Sequence, residues 1–359
     1  SFFFFFFHRA AFVVRNASKA HWIWVCLSVL WFSGSAYLSI VAFKILTVML
    51  LAKPKLLEPH KILPSAFSVI RELPGNVAIH LLRKEAAETA EAKETLPVIC
   101  FHGFGANASS YEDSLELLSE KLNALVLCPD QVGFGLTRRP ELCIDGQLFR
   151  NDICRDLLHP DKSSLPVSPE SLTALQTYTL SGNAVIAGAV LNAEHCIGNK
   201  IVIIGHSMGA ITAGALAVNK ARSGCKVTLV LESPAFLSKP SSSLKSSKIG
   251  MAKGLLLRLQ RRILRVVLQV PGFTYSRLFW QRGLAMATRE LDKEGAERQV
   301  LRYRWPSLSE NWALGLANFV TARLITMEDA LVLHELIEAS LENHLRVLII
   351  TGDQDRVVP

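Results

Sequence analysis

Gly205-His206-Ser207-Met208-Gly209 is the stretch of this 359-residue chain whose residue types and spacing best suit chemistry. It follows the apolar run 201–204, which reads as a buried strand. It opens onto Ala210, Ala213, Gly214 and Ala215, which read as a helix of small residues. A serine at the centre of a G-x-S-x-G turn sits on strained backbone, and small residues two positions to either side let the chain turn that sharply. The turn lifts the Ser207 hydroxyl above the sheet edge, and the helix N-terminus beneath it favours negative charge that develops there. The chemistry implied is nucleophilic attack on an acyl carbon. His206 is adjacent to the serine in sequence, so its ring is expected to point away, and it reads as structural.

Three further glycine- or aspartate-bearing turns follow apolar runs. His102-Gly103-Phe104-Gly105 comes directly after the run 97–101. A glycine turn at a strand end leaves backbone N–H groups free to face a ligand, so the N–H groups of Phe104 and Met208 are the candidate oxyanion hole. Asp130-Gln131-Val132-Gly133-Phe134-Gly135 follows the run 124–128, and Asp130 reads as a residue that fixes its loop. Gly352-Asp353-Gln354-Asp355 follows the last apolar run, 346–351. A carboxylate placed there could orient a histidine and stabilise its protonated form.

These turns need a scaffold that brings strand ends together. Runs of four to six apolar residues alternate with helical stretches, at 171–191 and 209–218 among others, which predicts an α/β fold with a mostly parallel sheet buried on both faces. Residues 237–345 interrupt the alternation and read as a helical insertion, while 137–170 is polar and loop-like.

Taken together, the HGFG turn at 102–105, the D-x-x-G-F-G loop at 130–135, the GHSMG turn at 205–209 and the GDQD turn at 352–355 resemble the α/β-hydrolase family in its cap-bearing form. The likeness spans about residues 62–359. It implies Ser207 as nucleophile, Gly205 and Gly209 as the flanks of its elbow, and Asp355 as the acid, with Asp353 and Glu232 as lesser alternatives. It also implies a core at 65–236, a cap at 237–345 and a return to the core at 346–359. A serine at the elbow argues against epoxide hydrolase and haloalkane dehalogenase chemistry, where matching relatives carry an aspartate. The family's catalytic histidine lies on a loop beyond one more strand. None of the ten histidines holds that position, so the base is expected beyond Pro359 and the chain as given is expected to be inactive. Three functions share these residues: hydrolysis of an ester, thioester or similar acyl bond, acyl transfer, and ligand binding without catalysis. No metal or organic cofactor is implied, since there is no ligand cluster or phosphate loop.

Composition adds a membrane expectation. Half the residues are hydrophobic, 19% are charged, and the net charge is +8. The positive charge is concentrated in residues 1–61 and 237–305, and the rest of the chain is net acidic. That pattern does not suit a nucleic-acid reader and does suit parts facing an anionic surface. After a tail at 1–21, residues 22–43 carry no charge and are long enough to span a bilayer as a helix. The segment 22–52 is therefore expected to be a single-pass anchor, followed by a linker at 53–64. Within the cap, 251–270 reads as a basic amphipathic helix, with Arg258, Arg261, Arg262 and Arg265 at three- and four-residue spacing. Either its apolar face packs inward on the pocket, or it lies on an anionic bilayer and admits a lipid-like acyl substrate.

Overall fold

The computed structural model describes residues 65–75, 77–86, 95–140, 155–158, 168–196, 198–236, 251–269, 275–287, 293–326, 328–341, 344–355 and 357–358. The expected anchor at 22–52 and the linker at 53–64 lie outside the described residues. Among the described residues, no helix is long and apolar enough to cross a membrane.

Seven strands form one sheet: β1 (Ser68–Leu73), β2 (Val77–Lys84), β3 (Leu96–Phe101), β4 (Ala124–Pro129), β5 (Lys200–His206), β6 (Lys226–Glu232) and β7 (Leu345–Ile350). Their spatial order is β1-β2-β4-β3-β5-β6-β7. β1 pairs antiparallel with β2, and β2 antiparallel with β4. Every other pairing is parallel. The central strands β3, β4 and β5 read as apolar runs because each face meets its own core, but the expected burial on both faces fails at the edge, where β7 is exposed beyond Leu345. Along β3, Val98 and Cys100 join one cluster with Tyr111, Leu115 and Val126, while Ile99 and Phe101 join the other with Leu127, Ile203 and Leu229. Alternate residues point to opposite faces, so both parities must be apolar.

Helix α1 (Glu112–Leu122) covers the first face. Helices α2 (Leu180–Ala193) and α3 (Gly209–Arg222) cover the second. The helix expected over 171–191 begins only at Leu180. Before it the chain makes two short 3-10 turns at Pro169–Ser171 and Gln176–Tyr178. The Thr179 side chain accepts from the Gly182 N–H, and the buried carboxylate of Glu328 accepts from the N–H groups of Leu180 and Ser181. A carboxylate at that position satisfies orphan donors and suits the positive end of the helix dipole.

The long insertion is helical, as expected: α4 (Met251–Leu268), α5 (Arg277–Ala287), α6 (Lys293–Arg304) and α7 (Trp312–Thr326). A fifth helix, α8 (Asp329–Ser340), falls inside the expected cap of 237–345, yet it packs on α3 and leads into β7. It belongs with the sheet layers, so in packing terms the cap ends at α7. The cap is tied back to the core through Arg302, which pairs with Glu112 (3.0 Å) and Asp113 (2.7 Å) at the start of α1.

Candidate active site

Ser207 stands at the turn from β5 into α3 with φ +53°. That is left-handed backbone, which costs a non-glycine residue about 1–3 kcal/mol and persists only where its surroundings hold it. The surroundings leave no slack. A Cβ on Gly205 would lie 2.6 Å from Ala213 Cβ and 2.7 Å from Ala210 Cα, and one on Gly209 would lie 2.6 Å from the His102 carbonyl oxygen. The elbow is also pinned from β6. The Ser207 N–H donates to the Glu232 carbonyl at 2.9 Å, and the Ala235 N–H donates to the Ser207 carbonyl at 3.1 Å.

The turn at 102–105 stacks directly on this elbow. A Cβ on Gly103 would be 3.2 Å from both Ser207 Cβ and His206 Nδ1. The turn holding Phe104 is therefore within a few ångströms of the nucleophile, and Met208 leads into the first turn of α3. His102 shapes the turn from within. Its buried ring accepts from the Gln131 N–H at Nε2 (3.1 Å), so Nδ1 carries the proton and donates to the Gly103 carbonyl (2.9 Å). Burial lowers the pKa of this ring against the pull of Asp130, in keeping with a neutral imidazole. Gln131 completes the link: its Nε2 donates to the His102 carbonyl (2.8 Å) and its Oε1 accepts from Thr212 on α3 (2.6 Å). Neither Gln131 nor Thr212 carries a role that its sequence context signals. Gln131 occupies an unspecified position of the 130–135 turn, and Thr212 lies in the helix after the elbow.

Asp130 is built into its loop. One oxygen accepts from the Ala108 N–H (2.6 Å), and the other from the Leu136 N–H (2.7 Å) and His80 Nδ1 (2.7 Å). His80 Nε2 in turn meets Ser68 Oγ at 3.1 Å. Burial alone would raise the Asp130 pKa, but His80, the field of His102 and the Ala108 N–H outweigh it and hold the pKa at about 2. The Ser68–His80–Asp130 chain has the residue types of a catalytic relay. However, Ser68 is in an extended strand with no turn behind it, and the chain serves to tie β1, β2 and the end of β4 together.

The other carboxylates gather at the ends of β6 and β7. Asp355 closes the turn that begins at Gly352, and its Oδ1 accepts from the N–H groups of Val357 (2.8 Å) and Val358 (2.9 Å). Partial burial pushes its pKa up. The two amides, Ser233 and the field of His206 prevail and hold it below the usual carboxylate range. Ser233, itself at φ +41°, donates its N–H to the Ile350 carbonyl (2.8 Å), which joins the β6 and β7 ends. His206 feels both Glu232 and Asp355, although burial keeps its pKa below the usual value. Glu232 takes a long contact from the Tyr111 hydroxyl (3.5 Å), and Asp353 is exposed. The fold thus gathers Ser207, Phe104, Met208 and Asp355 on the one sheet edge where the parallel strands end. Among the described residues, no histidine is hydrogen-bonded to Ser207 or Asp355.

Helix α7 joins a largely buried aromatic cluster beside the elbow. Phe319 of α7 meets Phe134 (ring centres 4.6 Å apart) and Phe104 (6.3 Å), and Phe104 meets Phe134 (5.7 Å). A surface cleft of about 510 Å³, lined by residues including Arg83, Lys84 and Glu120, contains none of these side chains.

A family model described as the alpha/beta hydrolase family matches residues 98–359. Several solved structures are similar to the chain. The meta-cleavage product hydrolase from Pseudomonas fluorescens IP01 is 20% identical over 81% of each chain, with a TM-score of 0.46. A thermophilic esterase from Thermogutta terrifontis is 16% identical over 80% of this chain and 90% of its own, with a TM-score of 0.45. An epoxide hydrolase from Vigna radiata is 18% identical over 81% of this chain and 80% of its own, with a TM-score of 0.45. No curated protein sequence matches the chain. The family match covers well over half the sequence and contains every turn of the site, so the chain belongs to the alpha/beta hydrolase family.

Proposed function

We propose that the protein is a serine hydrolase that cleaves an ester, thioester or similar acyl bond, with Ser207 as its nucleophile. The observation that carries this reading is the left-handed Ser207 elbow stacked against Gly103. Strained backbone kept at a serine, with a glycine turn packed on it, is costly for a residue that does no chemistry. Ser207 Oγ would attack the acyl carbon and give its proton to a histidine base. The N–H groups of Phe104 and Met208 would hold the oxyanion. Asp355 would orient that histidine and stabilise it when protonated. The partly exposed Phe104, backed by buried Phe134 and Phe319, favours an apolar acyl or leaving group beside the elbow. We place the protein on a membrane, held by the apolar segment 22–52, on the strength of the uncharged stretch 22–43 within it, which is long enough to span a bilayer.

The test is labelling with a fluorophosphonate probe. Modification of the full-length protein that is lost in Ser207→Ala supports the reading. A full-length protein that stays unlabelled favours the second reading, a ligand-binding member of the fold. Product analysis with alternative acyl acceptors separates hydrolysis from transfer.

A further inference from the structure

Helix α4 does not bury all of its apolar side chains. Leu257 and Leu268 are buried, and Leu264 packs against the core. Leu256, Leu259, Ile263 and Val266 remain 52%, 52%, 55% and 64% exposed. Their spacing of three, four and three residues puts them on one stripe along the helix. Exposed Arg258, Arg262 and Arg265 form a second stripe beside it. The helix sequence holds five cations and no acid. A solvated helix face carries charge, and a buried one carries apolar groups. An exposed apolar stripe bordered by arginines matches neither, but it does match a surface that is greasy beneath and anionic above.

We infer that α4 docks on an anionic lipid bilayer, with Leu256, Leu259, Ile263 and Val266 entering the acyl boundary and Arg262 and Arg265 meeting headgroup phosphates and carboxylates. A second copy of the chain is a poorer occupant, because an isologous contact would set five cations against five. The docked helix is one layer from the site. α4 packs on α7, and α7 carries Phe319 against Phe104 and Phe134. Bilayer contact would therefore lie one helix away from the aromatic cluster beside the elbow. The inference does not depend on Ser207 being catalytic.

The test is hydrogen exchange of the 251–268 amides in the full chain, with vesicles of phosphatidylcholine alone and of phosphatidylcholine with about one third phosphatidylserine. Any anchoring by residues 22–52 is common to both arms. Exchange should slow on the anionic vesicles and change little on the neutral ones. Each arginine removed should weaken the anionic preference about fivefold, so R262Q/R265Q should lose about 25-fold. L259S/I263S should lose about tenfold or more, and its fold should persist because both positions are exposed. Ser207→Ala should behave as the parent. The inference is overturned by any of three results: equal exchange with both vesicles, strong protection without lipid that shows another part of the chain on the stripe, or protection that grows with protein concentration in the absence of lipid.

Discussion

Asp130 and Asp355 both follow parallel strands, at the same edge of one sheet, yet their surroundings differ. Asp130 is 1% exposed, and both its oxygens are committed to His80 and two backbone N–H groups. Asp355 is half-buried, and its Oδ1 takes two local N–H groups while His206 and Ser233 stand near. A carboxylate saturated by the protein serves the fold. One that is preorganised by its own turn and left partly open can serve a partner. The difference is visible in the partners, since both pKa values are depressed and both residues sit in glycine-bearing turns.

The largest effect should follow from breaking the open member of the pair. Once activity is measurable, Asp355→Asn should lower kcat/KM about 10³–10⁴-fold, as expected when a histidine loses the carboxylate that sets its tautomer. The urea midpoint should hardly move, since the side chain is partly exposed and its amide acceptor survives the change. A normal rate in this variant would return Glu232 or Asp353 as the acid.

Asp130→Asn should do the reverse. It removes the charge that His80 and the Ala108 and Leu136 amides are built around, at a cost of about 3–5 kcal/mol of stability in urea unfolding. Activity per folded molecule should fall far less than in Asp355→Asn. If Asp130→Asn abolished turnover without loss of stability, the two roles would be exchanged.

Acid titration sharpens the same contrast. Asp130 has a folded pKa of about 2, below its ordinary value of 3.8. A depressed carboxylate stabilises the fold above its unfolded pKa, and this contribution fades as pH falls toward the folded one. About 2 kcal/mol should therefore be lost between about pH 4 and pH 2, and Asp130→Asn should flatten that slope. The Asp355 pKa is also lowered, but the group is far more solvated and should add little to the slope.

What could be read in the sequence follows from where burial is symmetrical. β3, β4 and β5 announce themselves because both of their faces are covered and their runs are apolar, whereas β7 is read from its apolar run although only Leu345 of it is buried. The elbow announces itself because Gly205 and Gly209 are the residue type that fits. β1 was invisible: Arg71 and Glu72 sit on a half-buried edge strand, and its apolar residues are too few to mark a period. His80 gave no signal either, because one histidine within an apolar strand does not announce that an aspartate fifty residues later will meet it. Helix α8 reads as part of the cap in sequence because packing on α3, and not helical periodicity, decides which layer it joins. The apolar face of α4 could be read from its spacing, but its division into buried and exposed stripes could not, since that depends on where α7 lies.

The smallest prediction concerns the elbow itself. If Ser207 is held at φ +53° for chemistry, its backbone is a standing cost that a glycine would not bear. Ser207→Gly should then raise stability by about 1 kcal/mol in urea unfolding while abolishing fluorophosphonate labelling. Glycine also gains freedom in the unfolded chain, which opposes the effect, so Ser207→Ala is the control that shares the lost hydroxyl and keeps the strained Cβ. The difference between the two variants isolates the backbone term. Equal stability in both would mean that the turn, as closed by the Glu232 and Ala235 hydrogen bonds, carries no strain that Ser207 alone bears. The geometry would then no longer distinguish a nucleophile from a well-placed serine.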